Sequence, residues 1–166
     1  DTKRHCLQVG HVMKCFAKEL WQDEHYRWCA WVLHDIDRDH IAKDPTKHLK
    51  DEFESIMNTI NAPEHLRKDI QSHWPELTWV QPDTLLRKYL IAVDELSGLL
   101  YAYSLMRPTW FEWMETKWAL KRIKDKTFAA GVDREHVRNC EVYLNIPLEV
   151  FIPKVIAHLS TFDKEV

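Results

Sequence analysis

The stretch that decides the fold is Trp28-Cys-Ala-Trp-Val-Leu-His-Asp-Ile-Asp-Arg-Asp39, in which an apolar segment ends in two adjacent metal-binding side chains. Residues 23–33 become nearly all apolar toward their end, a pattern typical of a helix that is buried on most sides. His34 and Asp35 follow directly. Because a buried polar pair is costly without a partner, we expect these two side chains to bind a divalent metal.

Apolar residues at helical spacing predict further helices on both sides of this segment. Upstream, a stripe of apolar residues predicts a helix over residues 3–20, with His5 on its core-facing side. Downstream, the pattern predicts helices over residues 47–60, 63–74, 83–106, 117–124, 133–144 and 147–159, and a polar loop over residues 36–46. We therefore expect an all-α fold and one domain over residues 1–166, in which residues 109–166 are a candidate C-terminal helical cap.

The composition excludes several classes of protein. The chain of 166 residues has a formal net charge of -3, so no strong field favours a nucleic-acid polymer or a membrane surface as partner. No signal peptide or membrane-spanning apolar run is visible in the sequence. The 4 cysteines lack the spacing of a zinc finger or a redox motif, so we expect reduced thiols and a cytoplasmic location.

The candidate metal ligands lie on different predicted helices, near a helix end or on a core-facing side. Helical proteins build internal metal sites in this way, because each facing helix contributes one or two side chains. Imidazole and carboxylate ligands suit a divalent transition metal such as Fe, Mn, Zn, Co or Ni. His40 lies close to His48 in the sequence and is its alternative. The candidate ligands are His5, His34, Asp35, His48, His73 and Asp94.

The order His5 … His34-Asp35 … Asp94 resembles that of the HD superfamily of metal-dependent phosphohydrolases. Residues 92–100, 105–108 and 124–132 further resemble a branch of small, largely uncharacterised predicted hydrolases of that superfamily, so the resemblance covers nearly the whole chain. It implies an HD-domain helical bundle with the metal site between helices. The chain departs from that pattern after the His-Asp pair, where many relatives have Gly, and at Trp74, where a small residue is common.

The resemblance also implies roles for the ligands. In HD proteins with two metals, an additional pair of histidines follows the His-Asp pair, and His48 and His73 match it in position. One metal would then be held by His5, His34, Asp35 and Asp94, and Asp35 would bridge to a second metal at His48 and His73. Asp35 and Asp94 would be the catalytic carboxylates, since both could orient the attacking water.

Phosphoryl transfer also needs positive charge near the phosphoryl oxygens. The candidate substrate-binding residues are Arg107, Lys117, Lys121, Lys124 and Lys126. The alternative interpretation of the lysines is a solvated helix face. We expect a phosphohydrolase that acts on a small phosphorylated substrate such as a nucleotide. The alternatives are an HD-fold di-iron oxygenase that cleaves C–H or C–P bonds, and a metal-binding module without catalysis.

Overall fold

A computed structural model describes residues 2–41 and 44–162, and the protein is all-α throughout these residues. The α-helices are α1 (Thr2–Glu19), α2 (Glu24–Val32), α3 (Asp51–Thr59), α4 (Glu64–Gln71), α5 (Pro75–Thr78), α6 (Leu85–Ser104), α7 (Thr116–Lys124), α8 (Asn139–Tyr143) and α9 (Leu148–Ser160). Two 3₁₀ helices, Pro45–Lys47 and His136–Arg138, precede α3 and α8. The all-α class predicted from the sequence is confirmed.

Helices α1 and α2 pack closely against each other, and this pair supports one side of the site. Asp23 caps α2, because its side chain accepts a hydrogen bond from the backbone N–H of Tyr26 at 2.8 Å. Gly10 permits the close approach: a Cβ at this position would lie 2.9 Å from Cγ2 of Val32. A larger residue at position 10 would therefore push the two helices apart.

Buried apolar side chains form two clusters. The larger one joins α1, α2 and α6 to the C-terminal helices, with Val9, Leu96 and Val155 all fully buried in it. Side chains from residues 111–159 therefore share a core with the N-terminal half of the chain. The smaller cluster lies beneath α3 and α4 and consists of Leu49, Phe53, Met57, Ala62 and Ile70. The His-Asp segment that follows α2 is packed against this smaller cluster through Leu33 and Ile36.

Several helix boundaries differ from the sequence-based expectation. The helix predicted over residues 47–60 begins only at Asp51, because His48 is extended and Leu49 has a left-handed backbone with φ 59°. The helix predicted from residue 83 begins at Leu85, and its N-cap is Thr84, whose hydroxyl accepts from the N–H of Arg87. The segment predicted as one helix over residues 133–144 consists of turns, a 3₁₀ helix and the short α8.

Helix length also bears on membrane insertion. No single helix among the described residues is both long and apolar enough to cross a membrane. The pair His136–Tyr143 and Leu148–Ser160 meets the length and composition criteria only when taken together, with a bend of 113° between its members. Most apolar residues of α9 lie in the larger core cluster, so the helix packs against protein.

Candidate metal centre

Three helical elements bring His5, His34 and Asp94 together. His5 lies on α1, Asp94 lies in the middle of α6, and His34 follows the C-cap of α2. Nε2 of His5 is 2.9 Å and Nε2 of His34 is 3.3 Å from Oδ1 of Asp94. Both imidazoles therefore face the same carboxylate oxygen.

A second group of side chains meets at Asp35. Its Oδ1 lies 3.2 Å from Nε2 of His48 and 4.0 Å from Nε2 of His73, and its Oδ2 lies 3.8 Å from Nε2 of His34. His48 follows the first 3₁₀ helix, and His73 follows the C-cap of α4. Two sets of donor atoms close enough to hold a metal ion result, His5–His34–Asp35 and Asp35–His48–His73, and they share Asp35.

Hydrogen bonds fix which ring nitrogen of three histidines faces this centre. Nδ1 of His34 donates to the carbonyl of Trp31 and Nδ1 of His73 to that of Ile70, both at 2.6 Å. Nδ1 of His48 donates to the carboxylate of Asp37 at 2.7 Å. Since these oxygens accept the hydrogen bond, Nδ1 carries a proton in each ring, and Nε2 is the nitrogen directed into the cluster. Metal-binding histidines are commonly held by this type of bond.

The donor set fits a divalent cation. Nε2 of His34 is buried, and among the described residues it has no partner in hydrogen-bond geometry, its 3.3 Å contact with Oδ1 of Asp94 included. Nε2 of His48 and Nε2 of His73 lie 3.2 Å apart, although both rings donate through their other nitrogen. Two lone pairs that face each other at this distance repel unless a cation or a proton lies between them. The buried His and Asp side chains could therefore hold a metal ion.

The electrostatics keep the two carboxylates ionised. Burial has the largest effect on the pKa of Asp35 and raises it, but His34, Arg38 and His5 together outweigh burial and lower that pKa to about 2. Burial likewise raises the pKa of Asp94, and His34 and His5 hold it well below its usual value. Burial lowers the pKa of His34, but Asp35 and Asp94 together hold it well above its usual value. The field at His34 thus attracts positive charge, and a metal competes with a proton for this position.

His73, in the second group, shows the opposite shift in pKa to His34. Burial lowers the pKa of His73 to about 4, so its ring is neutral near pH 7. A neutral imidazole is the form that ligates a metal. Glu95, the neighbour of Asp94, is also affected: burial and then the charge of Asp94 raise its pKa to about 8.

A cavity of about 420 Å³ adjoins the metal ligands and opens to solvent. His5, Asp35 and Asp94 line it, and so does Arg38. Nε of Arg38 donates to Oδ1 of Asp35 at 3.0 Å, and the guanidinium lies 5.4 Å from the ring centre of Trp74. The two terminal nitrogens of Arg38 have no hydrogen-bond partner in the described part of the chain. A molecule bound in the cavity could therefore contact both the candidate metal-binding side chains and the guanidinium of Arg38.

The structure brings together all six side chains predicted from the sequence as metal ligands. His40, the alternative to His48, is exposed, and its Nδ1 lies 3.7 Å from Oε1 of Glu52. The C-terminal flank of the cavity includes Gly131 and Val132, from a segment that the family resemblance had singled out.

The five predicted substrate-binding residues lie elsewhere. None of them is among the described residues that line the 420 Å³ cavity. The guanidinium of Arg107 donates to the backbone oxygens of Trp110 and Glu112, which ties together the turn after α6. The ammonium groups of Lys117 and Lys121 lie 5.6 Å and 5.5 Å from the ring centre of Trp118. Lys124 is exposed on α7, and Lys126 borders a different cavity.

Sequence reasoning missed two residues that the geometry connects to the site, Asp37 and Arg38. Both lie directly after the His-Asp pair, within residues 36–39, where the sequence pattern predicts only a polar loop. Asp37 is fully buried, and its second oxygen accepts the N–H of Leu49 at 2.7 Å. The available signal was the density of charged residues next to a pair that was itself expected to be buried.

Comparison with known proteins adds no relative: no family model, no curated protein and no solved structure matches this chain.

Proposed function

We propose that this protein is a metal-dependent phosphohydrolase of the HD type that acts on a small phosphate ester, a nucleotide being one example. The observation that carries the proposal is the convergence of four histidines on the shared carboxylate of Asp35 beside an open cavity, with Asp94 against two of them; the histidines are His5, His34, His48 and His73. The six side chains in this cluster are those that the resemblance to HD hydrolases implies as metal ligands. The cavity distinguishes this centre from a closed structural metal site, which offers no access to a substrate.

In this proposal the ligand set holds two divalent transition metals. His5, His34 and Asp94 belong to the first, His48 and His73 belong to the second, and Asp35 serves both. Its oxygens are directed to different histidines, Oδ2 toward His34 and Oδ1 toward His48. Such a pair of metals supplies Lewis acidity that activates water and neutralises charge on phosphoryl oxygens.

The chain's own residues contribute position and charge. Asp35 and Asp94 are ionised and point toward the cavity, so each can accept a hydrogen bond from a water molecule and orient it. Arg38 is held by Asp35 and packs over Trp74, so its terminal nitrogens are in place to donate to two phosphoryl oxygens. We therefore assign to Arg38 the role of substrate cation, in place of the residues on and around α7.

The same ligand set would also suit a di-iron oxygenase, and metal identity separates the two functions. The protein should be purified without chelator and examined by elemental analysis and electron paramagnetic resonance, alongside a screen of phosphate esters. We expect close to two transition metals per chain and metal-dependent release of phosphate. An oxygen-sensitive di-iron signal without phosphatase activity would replace the hydrolase proposal with the oxygenase one.

Substitution of Asp35 is the most direct test of whether one carboxylate serves both metals. Asp35→Ala should lose both metals, because both donor sets include this residue. Asp51→Ala is a suitable control, since Asp51 is an exposed carboxylate at the start of α3. Full metal content in Asp35→Ala, with native helicity, would refute the bridging role.

A further inference from the structure

A second cavity of about 250 Å³ lies next to the metal centre and has a different character. Its walls are formed mainly by Cys6 and Leu7 of α1, Val32 of α2 and Ile36 of the following turn. It shares three residues with the larger cavity, Thr2, Asp35 and Asp39. An apolar compartment therefore adjoins the polar one at the carboxylate that both metal-binding sets share.

The apolar side chains that line the smaller cavity are not all accounted for by packing in the hydrophobic core. Leu7 and Val32 are half-buried, and neither belongs to the two core clusters or to the side chains packed against them. Ile36 is also half-buried, with one side against the smaller cluster. These side chains present apolar surface to a concave space, where a ligand group would remove it from water.

The border between the two cavities is formed by polar side chains. The hydroxyl of Thr2 donates to Oδ1 of Asp39 at 2.8 Å, and both residues line both cavities. On the larger side lie the charged groups, His5, Arg38 and Asp94 among them. On the smaller side, Lys3 is the one further charged residue among those that the structure describes, and it is exposed. With metals at His5, Asp35 and Asp94, as the proposed function requires, and with Arg38 beside them, a ligand that occupies both cavities would be anionic at one end and apolar at the other.

We infer that the substrate is a phosphomonoester whose leaving alcohol carries an aliphatic or aromatic group, and that this group occupies the apolar cavity while the phosphoryl group lies at Asp35 and Arg38. The inference rests on the proposed hydrolase function and narrows its substrate class. A sugar or a nucleobase is disfavoured in the smaller cavity, because its polar atoms would find few partners there. Leu7 is the residue that selects for the apolar group.

The reaction needs no additional reagent. The oxygen of a water molecule forms a bond to phosphorus, and the bond between phosphorus and the alcohol oxygen breaks. One proton of the water passes to the alcohol oxygen, so the products are inorganic phosphate and the free apolar alcohol. No atom is oxidised or reduced.

The experiment uses methyl, n-butyl and n-hexyl phosphate as substrates for the metal-loaded protein. A buried methylene contributes roughly fourfold in affinity or in kcat/KM, so n-butyl phosphate should exceed methyl phosphate by more than about tenfold. Calorimetry with methylphosphonate and n-butylphosphonate provides a binding measurement that does not depend on turnover. The butyl compound should bind more tightly by a similar factor.

Variants of Leu7 test whether this residue causes the preference for longer alkyl chains. Leu7→Ser should reduce the ratio of butyl to methyl several-fold with little change for the methyl compounds, and Leu7→Phe should exclude the hexyl ester by filling the cavity. Leu105→Ser is the matched control, because Leu105 is 59% exposed at the C-terminal end of α6 and lines neither cavity. The control should keep the wild-type ratio.

The outcomes separate this inference from the function on which it rests. Turnover of phosphate esters without any dependence on chain length would overturn the inference and leave the hydrolase proposal standing. Absence of turnover with every ester, together with Leu7-dependent preference for n-butylphosphonate, would refute the hydrolase proposal and retain the apolar cavity as a ligand site. A chain-length preference that Leu7→Ser and Leu7→Phe leave unchanged would also overturn the inference.

Discussion

Asp37 accepts a hydrogen bond from Nδ1 of His48 at 2.7 Å, and both side chains are completely buried. The other oxygen of Asp37 accepts the N–H of Leu49, whose backbone is left-handed. Asp37 therefore controls both the orientation of the His48 ring and the path of the chain that delivers it. The residue is not a metal ligand in the proposed site, but it positions one.

The first prediction concerns this positioning role. Asp37→Asn should lower the affinity of the second metal by about 10- to 100-fold, because a neutral amide holds the Nδ1 proton of His48 less strongly. Metal titration of the chelator-treated protein measures the change. Asp51→Asn, at an exposed carboxylate, should behave as wild type. Unchanged affinity in Asp37→Asn would mean that the bond to His48 is structural only.

The second prediction tests the number of metal sites. His73→Ala should leave one class of metal-binding site where the wild type has two, since His73 belongs to only one of the two donor sets. Titration with Co²⁺, followed by its visible absorption, resolves the classes. His40→Ala provides the control, because His40 is exposed and lies outside both sets. Identical titrations for His73→Ala and wild type would contradict the two-metal proposal.

The third prediction compares two cations. Arg38→Ala should lower kcat/KM for any phosphate ester that the wild type hydrolyses by about 10- to 100-fold, the size of a lost charge-assisted contact in the transition state. Metal content should be retained, which elemental analysis checks. Lys121→Ala should stay within about twofold of wild type, because an exposed lysine over Trp118 contributes little. The reverse result would return the substrate-binding role to α7.

The fourth prediction concerns stability and pH. His158 on α9 packs its ring 4.5 Å from that of Phe16 and lies 3.1 Å from a carboxylate oxygen of Glu19. Burial lowers the pKa of His158, an effect that Glu19 opposes and the nearby His11 and Lys154 reinforce. The unfolded chain thus takes up a proton at higher pH than the folded one. The contribution of His158 to the free energy of unfolding is fully present above about pH 6.5, and it is lost as pH falls toward the pKa of His158 in the folded protein.

Urea unfolding at pH 8 and pH 5.5 measures this contribution. The free energy of unfolding should decrease more between these values in wild type than in His158→Gln, because glutamine does not titrate. Comparing the two proteins removes the effect of acid on the metal site, because both proteins have the same site. Equal decreases would show that the folded and unfolded chains protonate position 158 alike.

The side chains that come together at the candidate metal centre could be named from the sequence, because several of them are marked locally. His34 and Asp35 follow an apolar helix, and Asp94 lies among apolar residues of α6, so burial of polar groups could be read from neighbours in the chain. Helix ends were predicted less well. The helix expected from residue 47 begins at Asp51, since a tertiary bond from Leu49 to Asp37 replaces the first helical turn.

The sequence by itself determined the helical class and the residues that can bind a metal, because helical periodicity and side-chain chemistry are properties of short segments. Only the tertiary structure decided which positively charged side chain lines the same cavity as the candidate metal ligands. Arg38 lies there through its bond to Asp35, while α7 packs against α6 and α9 with its lysines away from that cavity. The direction in which a helix face points depends on its partners in the core, and no local pattern in the chain encodes it.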